Sequence, residues 1–305
     1  MRVHLLGTAA GGAFPQWNCN CRNCGWARTV PGRAAARTQS CIAVSSDHSR
    51  WFLVNASPDI RIQLESFPPL WPPSGLLRGT AIAGVLLTNA DLDHTLGLFN
   101  LRESGPLVVH ASGAVRRTLV QGVNIDAVLS SYHGIEWREP PEMLTPLRYP
   151  DGSASGIQYS AFAVPGKPPR YQTAATASTG HVVGYRFVDD ANGSRLVVIP
   201  DLAAFDDLVA TEADNSDVLL LDGTFFDEDE MPRTGTGTAT ATEMGHLPVG
   251  GSHGSLARIA PMIHVTRAYV HINNTNPMLL EDSPQRAAVE AAGVKIGFDG
   301  MQFSL

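Results

Sequence analysis

Eleven short runs rich in leucine and β-branched residues recur along the chain: "RVHLLG", "CIAVS", "WFLVNA", "GVLLT", "LVVHA", "IQYSAFAV", "HVVGYRFV", "RLVVIP", "DVLLLDG", "RAYVHI" and "VKIGFD". Each is shorter than an ordinary helix and the runs are punctuated by Gly, Pro, Asn, Asp or Ser, so they read as strands. Six helical stretches lie between them. "SPDIRIQLESF" and "SPQRAAVEAAG" both open on Ser-Pro, with Ser57 and Ser283 as N-caps, a proline in the first turn, and Gly293 closing the second. "TLGLFNLRES", "SGAVRRTLVQ", "DLAAFDDLVATE" and "GSLARIAPMI" complete the set. Early strands follow one another and later ones alternate with helices, which predicts sheets covered by helices in a layered α/β arrangement. A single domain over residues 1–305 is the simpler organisation.

Composition supports a large core: 44% of the 305 residues are hydrophobic and 17% charged. The formal charge of −7 offers no basic face for a phosphate backbone, which points away from nucleic acid and toward small molecules or peptides. The longest apolar run, Ala81 to Leu87, falls well short of the roughly 20 residues that span a bilayer. "MRVHLLGTAAGG" reads as a first strand and glycine turn rather than a secretory signal, so a cytoplasmic, reducing location is expected and no membrane partner. "FPPLWPPSGLLRG" is a Pro/Gly-rich connector. "TGTGTATAT", Thr234 to Thr242, is a low-complexity segment that reads as a mobile surface loop or a lid.

In a reducing compartment the four cysteines are more readily ligands or buried hydrophobes than disulfide partners. Cys19, Cys21 and Cys24 form C-x-C-x-x-C in the polar loop "NCNCRNCG", where three thiols have no core to join. Three soft sulfurs within six residues reach one ion and favour tetrahedral zinc in a closed, structural site. Asn274, Cys41 and a distant histidine are all candidates for the fourth ligand.

The run "VLLTNADLDHTLGL" leads a strand directly into Asn89, Asp91, Asp93 and His94. Two carboxylates held close repel unless a cation lies between them or one takes up a proton. The plain alternative is a solvated turn whose aspartates cap the next helix. Asp201 after "RLVVIP", Asp222 after "DVLLL" and His271 in "RAYVHI" repeat the arrangement. Polar groups at several strand ends point to one shared pocket, since open α/β sheets bind ligands there. His133, His181, His253 and His264 read as ordinary surface or partly buried histidines, Trp17 and Trp51 as packing, and Asp227 to Glu230 as a solvated acidic turn.

"TNADLDHTLG" resembles the H-x-H-x-D-H signature of the metallo-β-lactamase superfamily, with Asn89 and Asp91 at its first two histidines. "LLGTAAGGAFPQWNCNCRNC", "MGHLPVGGS" and "VHINNTNP" are similar to one branch over essentially the whole chain, the branch that works in pyrroloquinoline quinone (PQQ) biosynthesis. The resemblance implies a four-layer αββα sandwich of two mixed sheets flanked by helices. It implies active-site metal ligands at Asp93, His94, Asp201 and His271. His246 in "MGHLP" is similar to the general acid-base histidine of the cyclic phosphodiesterase of the carbon-phosphorus lyase pathway. That relative has a comparable cysteine cluster, whose fourth ligand, a histidine, falls at Asn274 here, so the implied structural zinc set is Cys19, Cys21, Cys24 and Asn274.

The departures alter the expected chemistry. Hydrolases of this fold hold two metals with histidines that are Asn89 and Asp91 here, and a third histidine is expected about where Lys167 stands. What remains is His94, His271 and one or more of Asp91, Asp93 and Asp201, a set suited to Fe2+ and oxygen. The expected function is hydroxylation of the tyrosine ring of a cross-linked Glu-Tyr PQQ precursor, with Asp93, His94 and His246 carrying the chemistry. Two alternatives stand beside it: a carrier that binds PQQ or a dipeptide precursor for transport, and a metal-dependent hydrolase of the precursor peptide. A homodimer is compatible with the resemblance.

Overall fold

The computed structural model describes residues 1–103, 105–172 and 180–305. Among these, β1 (Arg2–Gly7), β2 (Cys41–Ser45), β3 (Trp51–Val54), β4 (Ile82–Leu86), β5 (Leu107–His110) and β6 (Ile135–Arg138) lie side by side in chain order. A second sheet, also in chain order, contains β7 (Thr145–Arg148), β8 (Ala154–Ala163), β9 (Val183–Asp189), β10 (Arg195–Ile199), β11 (Val218–Asp222), β12 (Thr266–Val270) and β13 (Lys295–Ile296). The chain then returns to the first sheet, where β14 (Gln302–Ser304) pairs with β1. Each sheet is antiparallel in its first part and parallel in its last: the parallel pairs are β3 to β6 and β10 to β13. Parallel neighbours need long crossovers, and most of the helices sit in those crossovers; helix Arg22–Thr29 instead lies between the antiparallel β1 and β2.

The runs are continuously apolar because both faces of most strands are buried. In β2, Ile42 and Val44 face the second sheet, meeting Tyr185, Phe187, Val198 and Leu220. Cys41 and Ala43 face the other way, toward Ile60, Leu98, Val115 and Leu119 from the flanking helices. The outer face of the second sheet is covered by Val209, Ala213, Ile259 and Val289. The result is helix, sheet, sheet, helix: the expected four-layer sandwich.

All eleven expected strands are present. The unexpected ones, β6, β7 and β14, are edge or near-edge pieces whose residues are largely exposed or half-exposed, so they carry no apolar run. Pro146 in β7 is tolerated because that strand is an edge. Helix Pro284–Ala291 is capped as expected, Ser283 Oγ accepting from Arg286 N at 3.0 Å. The helix after Ser57 begins later, at Ile60, because Ser57 is occupied with Asp59 N and Gln63 Oε1.

"DLAAFDDLVATE" is helical only over Asp207–Asp214, which leaves Asp201 free on an irregular segment. "TLGLFNLRES" starts earlier than expected and breaks into Leu92–Thr95, Gly97–Asn100 and Leu101–Glu103; Ser104 lies outside the described residues. Helical structure therefore already includes Asp93 and His94. The break at Gly97 reflects contact with β3's exit: its N–H donates to Ala56 O at 2.9 Å, and a Cβ would sit 2.4 Å from Ser57 O.

Thr234 to Thr242 is not a free loop. Thr234 ends helix Glu230–Thr234, and Thr240 caps helix Ala241–Met244 in a capping box with Glu243. The segment stays out of the main cavity; Glu243 to His246, just beyond it, line that cavity.

Candidate metal centre

The parallel strands β4, β10, β11 and β12 end on the same side and deliver their following residues to one cleft. β4 supplies Asn89 to His94, β10 supplies Asp201, β11 ends on Asp222 and β12 is followed by His271. The cleft opens into a cavity of about 460 Å3 lined by Asp91, Asp93, Asp201, His246 and His271.

The structure gathers most of the expected residues into two donor sets that share His271. The His94 and His271 rings lie 5.0 Å apart, nearly perpendicular, and His271 Nε2 is 3.1 Å from Asp93 Oδ2. Donor atoms of Asp93, His94 and His271 all fall within 4.8 Å of one another, as do those of Asp201, His246 and His271. Asp91 lines the cavity but belongs to neither set, and its side chain does not cap the helix that follows. The capping alternative therefore does not account for it. Asn89 Nδ2 instead donates to Asp201 Oδ2 at 3.0 Å, so this amide orients a carboxylate where the superfamily has an imidazole.

Behind these groups lies a layer of orienting hydrogen bonds. Asn55 Nδ2 and Thr88 Oγ1 lie 2.9 and 3.1 Å from His94 Nδ1, while His94 Nε2 is buried without a hydrogen-bond partner. Asp222 holds both remaining histidines: Oδ2 is 2.8 Å from His246 Nδ1, and Oδ1 accepts the Thr224 hydroxyl at 2.6 Å. The Thr224 oxygen also lies 2.8 Å from both His271 Nδ1 and the His271 carbonyl oxygen. Both imidazoles are thereby held from Nδ1, which turns His271 Nε2 toward Asp93 Oδ2.

The electrostatics call for a cation. Burial, then the charges of Asp93 and Asp201, raise Asp91 to about 7. Burial disfavours a charged His271, yet Asp201 and Asp93 overcome it and hold its pKa up at about 10. Burial likewise opposes ionisation of Asp93, but His94 and His271 hold it well below the usual carboxylate range. An orphaned buried nitrogen and crowded carboxylates fit a metal, which would replace the proton on His271.

At the second expected centre, Cys19, Cys21 and Cys24 converge, and Asn274 Nδ2 lies 3.2, 3.6 and 3.4 Å from their sulfurs. Turned over, the amide would present its oxygen at the same place, as a fourth ligand to an ion among the sulfurs. A hydrogen bond from Cys24 lowers Cys21 to about 5, and the same contact with burial raises Cys24, so one thiolate is already favoured. Cys41 belongs to the first sheet, where its thiol donates to Asn55 O at 3.2 Å, and it takes no part. Asn274 follows His271 by three residues, so one segment reaches both centres.

Lys167 is engaged elsewhere, donating to Thr242 O and Glu243 O at 2.9 Å each, which fastens the turn before His246. His133, His253 and His264 are exposed, and His181 is buried; none joins a donor set. Trp51 packs against Phe67, but Trp17 is 85% exposed and does not pack as expected. Glu230 is buried rather than solvated, and burial raises its pKa to about 7. Thr224 and Asn55 were not visible as site residues. Asp222 was visible as a strand-end acid, but its role depends on β11 lying between β10 and β12.

A β-lactamase superfamily domain matches residues 50–272. The chain is 43% identical to coenzyme PQQ synthesis protein B of Methylobacterium radiotolerans and 40% identical to that of Nitrosococcus oceani, with 100% of each chain covered in both comparisons. The crystal structure of Zn2+-bound PqqB from Methylobacterium extorquens superposes with a TM-score of 0.91 at 39% identity, covering 100% of both chains. A diphosphatase of the PhnP family shares the fold, with a TM-score of 0.67 at 16% identity over 100% of this chain and 97% of that one.

Proposed function

Because the chain belongs to the coenzyme PQQ synthesis protein B family, within the β-lactamase superfamily, and so acts in PQQ biosynthesis, we propose that it hydroxylates the tyrosine-derived ring of the cross-linked Glu-Tyr intermediate at a single iron. In this reading one domain spanning residues 1–305 carries the iron centre and a structural zinc on Cys19, Cys21, Cys24 and Asn274.

The observation that supports one ion is the hydrogen bonding of His271. Its Nδ1 lies 2.8 Å from Thr224 Oγ1 and its Nε2 3.1 Å from Asp93 Oδ2, so Nε2 is the nitrogen turned toward the carboxylates of the cleft. The two donor sets both contain His271, which supports a single site flanked by carboxylates and imidazoles over two independent ones. A bridging hydroxide between two acidic metals, the usual hydrolytic device, then has no second metal. Two histidines with carboxylates and open positions suit Fe2+, which when bound would supply dioxygen activation.

The chain's own groups do the rest. Leu92, Val182 and Phe225 give the cavity an apolar wall for the ring. His246, with Nδ1 held by Asp222, has Nε2 free to take the proton released from the ring carbon. One oxygen atom of dioxygen enters the C–H bond and the other leaves as water, which consumes two electrons and two protons. An external two-electron reductant supplies the electrons.

The test is reconstitution with Fe2+ under anaerobic conditions, followed by the cross-linked Glu-Tyr substrate, ascorbate and isotopically labelled dioxygen. A product heavier by one labelled oxygen atom is expected. No gain with iron, together with turnover by the zinc form alone, would refute the proposal.

A further inference from the structure

We infer that Arg170 is a specificity-determining residue that anchors the C-terminal, tyrosine-derived carboxylate of the substrate at the mouth of the metal cleft. The inference rests on the reading of the cleft as the site for an amino-acid-derived aromatic substrate.

Two cations, Lys167 and Arg170, line the cavity. The ammonium of Lys167 is occupied by the carbonyls of Thr242 and Glu243. Arg170 is exposed and has no hydrogen bond or ion pair among the described residues. Other surface arginines do form ion pairs, as Arg33 does with Asp282 and Arg50 with Asp47, so what sets Arg170 apart is its place on the cavity wall.

The backbone that carries Arg170 is held from several directions. Pro165 O accepts Ala203 N–H at 2.9 Å, and the Tyr171 hydroxyl donates to Ala90 O at 2.5 Å. Pro168 and Pro169 precede Arg170 and restrict its approach, since proline fixes φ. The braced segment fixes where the guanidinium can reach, and a guanidinium matches a carboxylate with two parallel hydrogen bonds. The inner cleft is the wrong place for that carboxylate, because Asp91, Asp93 and Asp201 carry more negative charge than one divalent ion offsets. A substrate with an aromatic ring and a carboxylate is therefore oriented by charge, ring inward and carboxylate outward to Arg170. Orientation of this kind also decides which ring carbon faces the metal.

The probes are the dipeptide glutamyl-tyrosine and its C-terminal amide, titrated calorimetrically into the zinc-loaded protein, which binds without redox turnover. Wild type is expected to prefer the free acid. Arg170→Gln should weaken free-acid binding about tenfold or more, leave amide binding unchanged, and be partly rescued by Arg170→Lys, whose point charge lacks the fork. Equal affinity of Arg170→Gln and wild type for the free acid, an equal loss for acid and amide, or no measurable binding of the acid by wild type would each overturn the inference. In turnover assays a raised KM with kcat retained belongs to the anchor. Acid-selective binding without oxygen insertion would keep the anchor and remove the hydroxylase reading.

Discussion

Replacing His271 by asparagine is expected to abolish metal binding in the cleft and reduce turnover about a thousandfold or more, the scale seen when a group on which the rest of a site depends is removed. His271 is common to both donor sets, so no remaining triad can hold the ion. Asparagine is the informative replacement because His271 sits at φ 56°, a left-handed conformation that asparagine tolerates and most residues do not. The cysteine centre should keep its zinc in this variant, which separates loss of the active-site ion from general unfolding. Asp201→Asn should be milder, since Asp93, His94 and His271 would still converge. Retention of a cleft metal in His271→Asn, with one zinc still on the cysteines, would contradict the ligand assignment.

The second large effect is on folding. Cys21→Ser is expected to lower stability by at least about 3 kcal/mol, because a structural zinc contributes binding free energy directly to the folded state. For a chain of this size that corresponds to a fall in Tm of about 5 °C or more. Cys21 is the N-cap residue of helix Arg22–Thr29, and serine is a preferred N-cap. The substitution therefore keeps or improves the local backbone chemistry and removes only the sulfur. Thermal melting and zinc content are the readouts. An unchanged Tm with turnover lost would show that the cysteine centre serves the reaction rather than the fold.

The architecture was legible because strands buried on both faces leave apolar runs, and β2 to β5 and β8 to β12 are of that kind. β6, β7 and β14 escaped for the converse reason: edge residues such as Glu136, Arg148 and Gln302 are exposed or half-exposed and break the pattern. Asp93, His94, Asp201 and His271 were recognisable because charge at the end of an apolar strand is costly unless it has a use. Asn55, Thr88 and Thr224 carry no comparable signal. Each is a small polar residue of a kind common at strand ends, and its role appears only when the fold sets it beneath an imidazole. Trp17 and Glu230 show the limit from the other side. An aromatic beside a ligand loop and an acid in an acidic run read as buried and solvated from composition alone, and tertiary contacts reversed both. Thr234 to Thr242 reads as structureless from its repeats, yet Thr240 and Glu243 have the spacing of a capping box, and that local chemistry prevailed.

The central claim is that the cleft formed by the ends of β4, β10, β11 and β12 holds one cation. Metal analysis per chain, after anaerobic Fe2+ reconstitution of protein whose cysteine centre is filled with zinc, tests it most directly. One iron beside one zinc is the predicted content, with the iron lost in His271→Asn and the zinc lost in Cys21→Ser. Two ions in the cleft, giving three per chain, would contradict the account and restore a dinuclear hydrolase.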